Sequence, residues 1–277
     1  MKTLLRLVSS SLVAGAVLVA GTGPLACSGE GSGTTGRRIA LDVEIAASPE
    51  SKQFTNAKGW TISITRAAIA TGAFYFYDGE TLFAGRSPGA SPRAPGSFPR
   101  APGGFVRSAF AHPGHYVPGN AKGEMLVASS ADLLAGGLLG HGDGVTGLVR
   151  SATFGFGAPA SGPLAAELGA SVIVLEGSAT KGAATRVFRA EIAPDEVKDT
   201  KGVMQIEGCP FASTDMESDG KVTITVKLPM WFDQVELDGA PESPDGKPAL
   251  LPDGLARNQL VRGAKVGLAY TFAYAPR

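Results

Sequence analysis

From residue 38 onward the chain alternates apolar and polar residues for a few positions at a time, then breaks at glycine, proline or Asp-Gly. This rhythm limits what the chain can fold into more than any single motif does. Ile39, Leu41, Val43 and Ile45 fall on one face of an extended segment and Ala40, Asp42 and Glu44 on the other, the pattern of a half-buried strand over Arg38 to Ala46. Trp60, Ile62 and Ile64 alternate in the same way with Thr61, Ser63 and Thr65. The aromatic run Gly72 to Tyr77 ends at Asp78-Gly79, which predicts a hairpin returning through Thr81-Leu82-Phe83. Further strands are predicted over 147–156, 171–180, 184–192, 203–207, 221–228, 231–237 and 264–274. With 38 Gly and 19 Pro, 57 of 277 residues disfavour helix interiors, which excludes a long-helix architecture. The clearest helix signal is Ser129-Ser130-Ala131-Asp132 opening ADLLAGGLL, with capping-box spacing and Gly136-Gly137 against it. The predicted fold is all-β: a single antiparallel β-sandwich-like domain over 37–277 with one short helix.

One insertion interrupts that domain. RSPGASP, RAPGSFP and RAPGGFV follow one another over 86–106, with Arg86, Arg93 and Arg100 seven apart and Arg107 opening a broken fourth copy. Proline at the third place and glycine at the fourth exclude a helix or a central strand, and there is no a/d seam for a coiled coil. A solvated loop lengthened by local duplication fits this composition best. A basic, polyproline-like arm touching anionic headgroups or a partner is the alternative.

The amino end reads as an address. Lys2 and Arg6 precede an apolar stretch from Leu7 to Ala20, too short and wrongly flanked to span a bilayer, and small residues lead to Leu25-Ala26-Cys27. This ending resembles the lipobox of bacterial lipoproteins, with Pro24 where that motif usually carries Leu. The resemblance implies a signal peptide over 1–26, a lipidated Cys27, anchoring in the cell envelope and, because Ser28 follows the cysteine, the outer membrane. Several acyl chains on one cysteine hold firmly, whereas one chain binds only marginally. Residues 28–36 (SGEGSGTTG) then form a flexible tether.

Charge and cysteine content narrow the partners. Loss of the leader leaves 23 Lys and Arg against 25 Asp and Glu, a net charge of −2, so no basic field exists to grip nucleic acid. Of two cysteines, lipidation would occupy Cys27, leaving Cys209 as a small buried hydrophobe.

Candidate chemistry gathers in one stretch. All three histidines lie within thirty residues: His112 and His115 in AHPGHY, and His141 in LGHGDG. A Pro-Gly turn can bring His112 and His115 onto one ion, with His141, Glu124 and Asp143 as further donors. Imidazole with carboxylate suits zinc, and imidazole with the Met125 thioether suits copper, so both metals stay open. The neighbouring glycines read as flexible backbone that lets a ligand approach. A hydrolytic zinc would need Glu124 as general base. Asp215-Met216-Glu217-Ser218-Asp219-Gly220 has the outline of a calcium loop, but Val226 stands where a bidentate Glu is needed, so a polar turn feeding a strand is expected. There is no G-x-S-x-G, phosphate-loop or H-E-x-x-H motif. Pro229-Met230-Trp231-Phe232-Asp233, with Phe54 and Trp60, resembles short segments of β-rich periplasmic copper-associated proteins of the methanobactin-linked type, whose further cysteines are missing here. Trp231 is expected in the core or as a ligand platform.

The sequence therefore leads to a lipid-anchored envelope protein with a non-catalytic binding role, with copper or zinc held by the histidine cluster. The alternatives are a structural or protein-interaction lipoprotein without ligand and, third, a zinc hydrolase.

Overall fold

The computed structural model describes residues 36–81, 116–243 and 245–277. Cys27, the repeats over 86–106, His112, His115 and the expected return strand at Leu82-Phe83 lie outside the described residues.

Strands β1 (Arg38–Ala47), β2 (Gln53–Thr55), β3 (Thr61–Thr71) and β4 (Phe74–Tyr77) come first. After Tyr116 follow β5 (Ala121–Met125), β6 (Ser129–Asp132), β7 (Gly137–Val145) and β8 (Gly147–Gly155). Helix α1 (Ala165–Leu168) leads into the hairpin β9 (Ile173–Lys181) and β10 (Ala184–Ile192), then α2 (Pro194–Val197). The chain ends with β11 (Gln205–Met216), β12 (Gly220–Val226), α3 (Leu228–Phe232), β13 (Ala249–Leu250), α4 (Leu255–Ala264) and β14 (Tyr270–Pro276).

The fold is all-β in character, but the expected sandwich gives way to another closure of the strands. Eight strands form a closed barrel in the order β1-β12-β14-β11-β8-β4-β5-β7, and a six-stranded sheet runs β13-β10-β9-β3-β2 with β6 also on β3. The expected antiparallel order is also only partial: β1 with β12, β11 with β14, and β10 with β13 are parallel pairs. β11 and β12 are consecutive and opposite in direction, yet β14 lies between them, so the carboxyl-terminal strand completes the wall. β4 finds its neighbours in β5 and β8.

The barrel interior is filled. Phe74, Phe76, Phe154, Phe211, Phe272 and Tyr270 are buried, with ring centroids of Phe154 and Tyr270 4.2 Å apart and of Phe74 and Phe154 5.2 Å apart. Opposite this aromatic mass several buried wall positions on β5 and β7 are glycine, among them Gly123, Gly142 and Gly144. A Cβ on Gly123 would lie 3.0 Å from the Phe76 ring, and one on Gly144 would lie 3.1 Å from both Ile39 and Leu41. The glycines around His141 thus make room for large neighbours, small against large as a narrow barrel requires. Their reading as flexible ligand-approach backbone is corrected. Charged and polar residues such as Asp42, Glu44, Asp143 and Lys221 face outward. That is the reverse of a barrel sitting in lipid, which carries an apolar outer band.

Three local expectations are also corrected. Ser129–Asp132 is strand β6 rather than a helix start, because Asp132 Oδ1 accepts the Leu134 N–H (2.9 Å) in a tight turn and Gly136 takes φ +69°. Residues 231–237 are not a strand: Leu228, Trp231 and Phe232 sit at i, i+3 and i+4 and bury together on α3, with Pro229 in its first turn. The final strand begins at Tyr270, after α4. Asp215–Gly220 is the expected polar turn into β12.

Candidate functional site

The barrel has two unlike ends. Arg38, Gly220 and Pro276 mark one end, where Arg38 faces Val145 and Gly220 faces Pro276. Residue 36, the carboxyl terminus and both stems of the 82–115 segment (Tyr77 opposite Ala121) also belong there. At the other end Ala47 faces Val226, and the chain turns directly into α3.

Helix α3 plugs this second end. Leu228, Trp231 and Phe232 are buried, and Trp231 stands 6.1 Å from the Tyr270 ring. Buried Asn56 fixes its far turn by donating from Nδ2 to the carbonyls of Phe232 (3.0 Å) and Val235 (2.8 Å). Helix α4 lies across α3 at Gly263, where a Cβ would fall 2.2 Å from the Trp231 carbonyl oxygen. The Tyr270 hydroxyl donates to the Ala264 carbonyl at 2.6 Å and ties the end of α4 to the barrel. Arg257 grips Glu196 through two hydrogen bonds of 2.9 and 2.6 Å. Burial pushes the Glu196 carboxyl up, but the bonds from Arg257 and the Ala193 N–H prevail and hold it below its ordinary value.

Between these two helices opens a cleft of about 640 Å³. Pro229, Met230, Trp231 and Val266 give it apolar wall, and Gln259 and Arg262 give it polar wall. Trp231 Nε1 is buried without a hydrogen-bond partner among the described residues. Such an orphaned donor costs on the order of 1–3 kcal/mol, and with Trp231 0% exposed it sits out of reach of a ligand in the cleft.

The residues predicted from sequence lie elsewhere. His141 projects from β7 on the outer barrel face, its side chain 78% exposed, and its Nδ1 sits 2.6 Å from Asp42 Oδ1. Arg277 pairs with the same carboxylate. Asp143 and Glu124 share this outer face and oppose each other across β7 and β5. Met125 points inward and is fully buried, so it cannot join them. Among the described residues no group of three His, Cys, Asp or Glu side chains is close enough to hold a metal ion. Cys209 is buried, its Sγ 3.3 Å from the Ile206 carbonyl oxygen, and burial pushes its thiol up to about 12, so it is a packing residue with little thiolate character.

Trp231 and its neighbour Met230 were picked out by sequence, but Arg262 and Gln259 were not. The available signal was Gly263 inside an otherwise helical segment, since a glycine there marks close approach of another backbone. Family models, curated proteins and solved structures all yield no match to this chain.

Proposed function

We propose that this is a lipid-anchored envelope protein that binds a small ligand without transforming it, and that the ligand sits between α3 and α4. The observation carrying the proposal is the cleft itself. Its volume lies within the ~300–1,000 Å³ usual for small-molecule sites, and its walls combine apolar surface with a few polar groups, the composition of a binding pocket. The architecture suits an anchored binder. The tether from Cys27 would enter at the Arg38 end of β1, and the cleft lies beyond the Ala47 end, about 30 Å along the strand. Among the described residues no helix is long and apolar enough to cross a bilayer.

The anchor is tested by Cys27→Ala. The variant is expected to leave the membrane fraction and appear in the soluble fraction after cell disruption. Unchanged membrane partitioning would remove the lipoprotein assignment.

A second reading, copper or zinc binding through His112, His115 and His141, is favoured by one observation. The Asp42 carboxylate holds His141 by Nδ1, the arrangement that orients an imidazole for metal binding through its other nitrogen. Elemental analysis of protein purified without a histidine tag is expected to give near-stoichiometric copper or zinc, lost in the triple variant His112→Ala, His115→Ala, His141→Ala. Protein that is empty and takes up neither added ion would leave the cleft as the only binding site proposed.

A further inference from the structure

We infer that the α3–α4 cleft takes a small organic acid, an apolar body ending in one carboxylate. The inference rests on the binding reading above and gives it a ligand class. The cleft has a surplus of hydrogen-bond donors over acceptors. The Arg262 guanidinium, exposed on its wall, has no hydrogen bond or ion pair among the described residues, whereas Arg257 one and a half turns earlier is committed to Glu196. Gln259 spends its Oε1 on the Glu236 N–H (2.9 Å), which leaves its amide N–H groups without an acceptor among the described residues. Of the acceptors on the wall, the Asp233 carboxylate already receives the Gln234 amide at 2.7 Å, which leaves Gln234 Oε1 as a single neutral acceptor against the guanidinium and the Gln259 N–H groups.

A ligand that satisfies this inventory brings acceptors and negative charge. The planar guanidinium fork matches a carboxylate with two parallel hydrogen bonds. A single guanidinium with Asp233 near it disfavours a dianion such as a phosphate monoester. Met230, Pro229 and Val266 supply surface for the apolar body.

The experiment uses the full-length protein in phosphatidylcholine vesicles and two probes of nearly equal shape, 3-phenylpropionate and 3-phenylpropionamide, titrated calorimetrically. The acid is expected to bind at least tenfold more tightly than the amide. Arg262→Gln is expected to remove that preference while the amide still binds, and an unchanged melting temperature of the variant reports that the cleft is intact. Equal binding of acid and amide, or an acid preference that survives Arg262→Gln, would overturn the carboxylate assignment and leave the cleft as a binding site. Failure of both probes to bind would overturn the binding reading and this inference with it.

Discussion

Gly263→Ala is expected to destabilise the protein by about 3 kcal/mol, although helix propensity alone favours alanine over glycine by about 1 kcal/mol. The two effects have opposite signs, so the measurement decides between them. A Cβ at residue 263 would meet the Trp231 carbonyl oxygen at 2.2 Å and the Trp231 carbonyl carbon and Cα at 2.7 Å. These are backbone atoms of a helix that is packed into the barrel end, so they cannot swing aside as a flexible side chain would. Relief requires α4 to lift off α3 by about an ångström, which forfeits the tight contact between the helices. For a domain of this size the loss corresponds to a melting temperature lower by roughly 10 °C. Because the cleft lies between the same helices, binding of 3-phenylpropionate should weaken as well. A melting temperature raised by the substitution would show that the helices do not meet at this residue.

The same crossing explains what could and could not be read from the sequence. Strand periodicity is local, so β1 and β10 were legible almost to the residue: alternation over 38–46 and 184–192 against observed Arg38–Ala47 and Ala184–Ile192. Strand order is not local. Nothing in residues 205–226 says that the two strands there are held apart by a third arriving fifty residues later, because the partners are chosen by closure of the whole wall. Around His141 the glycines misled because a glycine making room for a neighbouring strand or aliphatic side chain has the same letter as one that bends. A bulge adds to the ambiguity: Val43 faces Gly140 but Glu44 faces Leu138, so Leu139 turns inward on the same side as Gly142. Around Trp231 the helical spacing of Leu228, Trp231 and Phe232 was present but outvoted by the apolar density of a five-residue stretch, where the two periods differ little. A cleft between two helices needs both to be placed, so Arg262 gained meaning only once α4 lay on α3.

Asn56→Leu is expected to cost about 4 kcal/mol. Asn56 is 7% exposed and uses its whole amide. Its Nδ2 donates to the Phe232 and Val235 carbonyls at 3.0 and 2.8 Å, and its Oδ1 accepts the Lys58 and Trp60 N–H groups, both at 3.0 Å. Leucine matches the volume and supplies none of the four bonds. The Lys58 N–H is near solvent and can turn to water, and the Phe232 carbonyl keeps the Val235 N–H at 2.9 Å, but the Val235 carbonyl and the Trp60 N–H are left unpaired beside buried residues, at about 1–3 kcal/mol each before relaxation. Asn56→Asp separates the two halves of the amide: it keeps acceptors for Lys58 and Trp60 but sets a carboxylate against two carbonyl oxygens, and should be no more stable than the leucine variant. In either variant the turn after α3 loses its clamp to the β2–β3 hairpin, so hydrogen exchange at Val235 should accelerate ahead of exchange in the barrel strands. A leucine variant within 1 kcal/mol of the parent, with protected amides at 235, would mean that α3 is held in place by its apolar contacts alone.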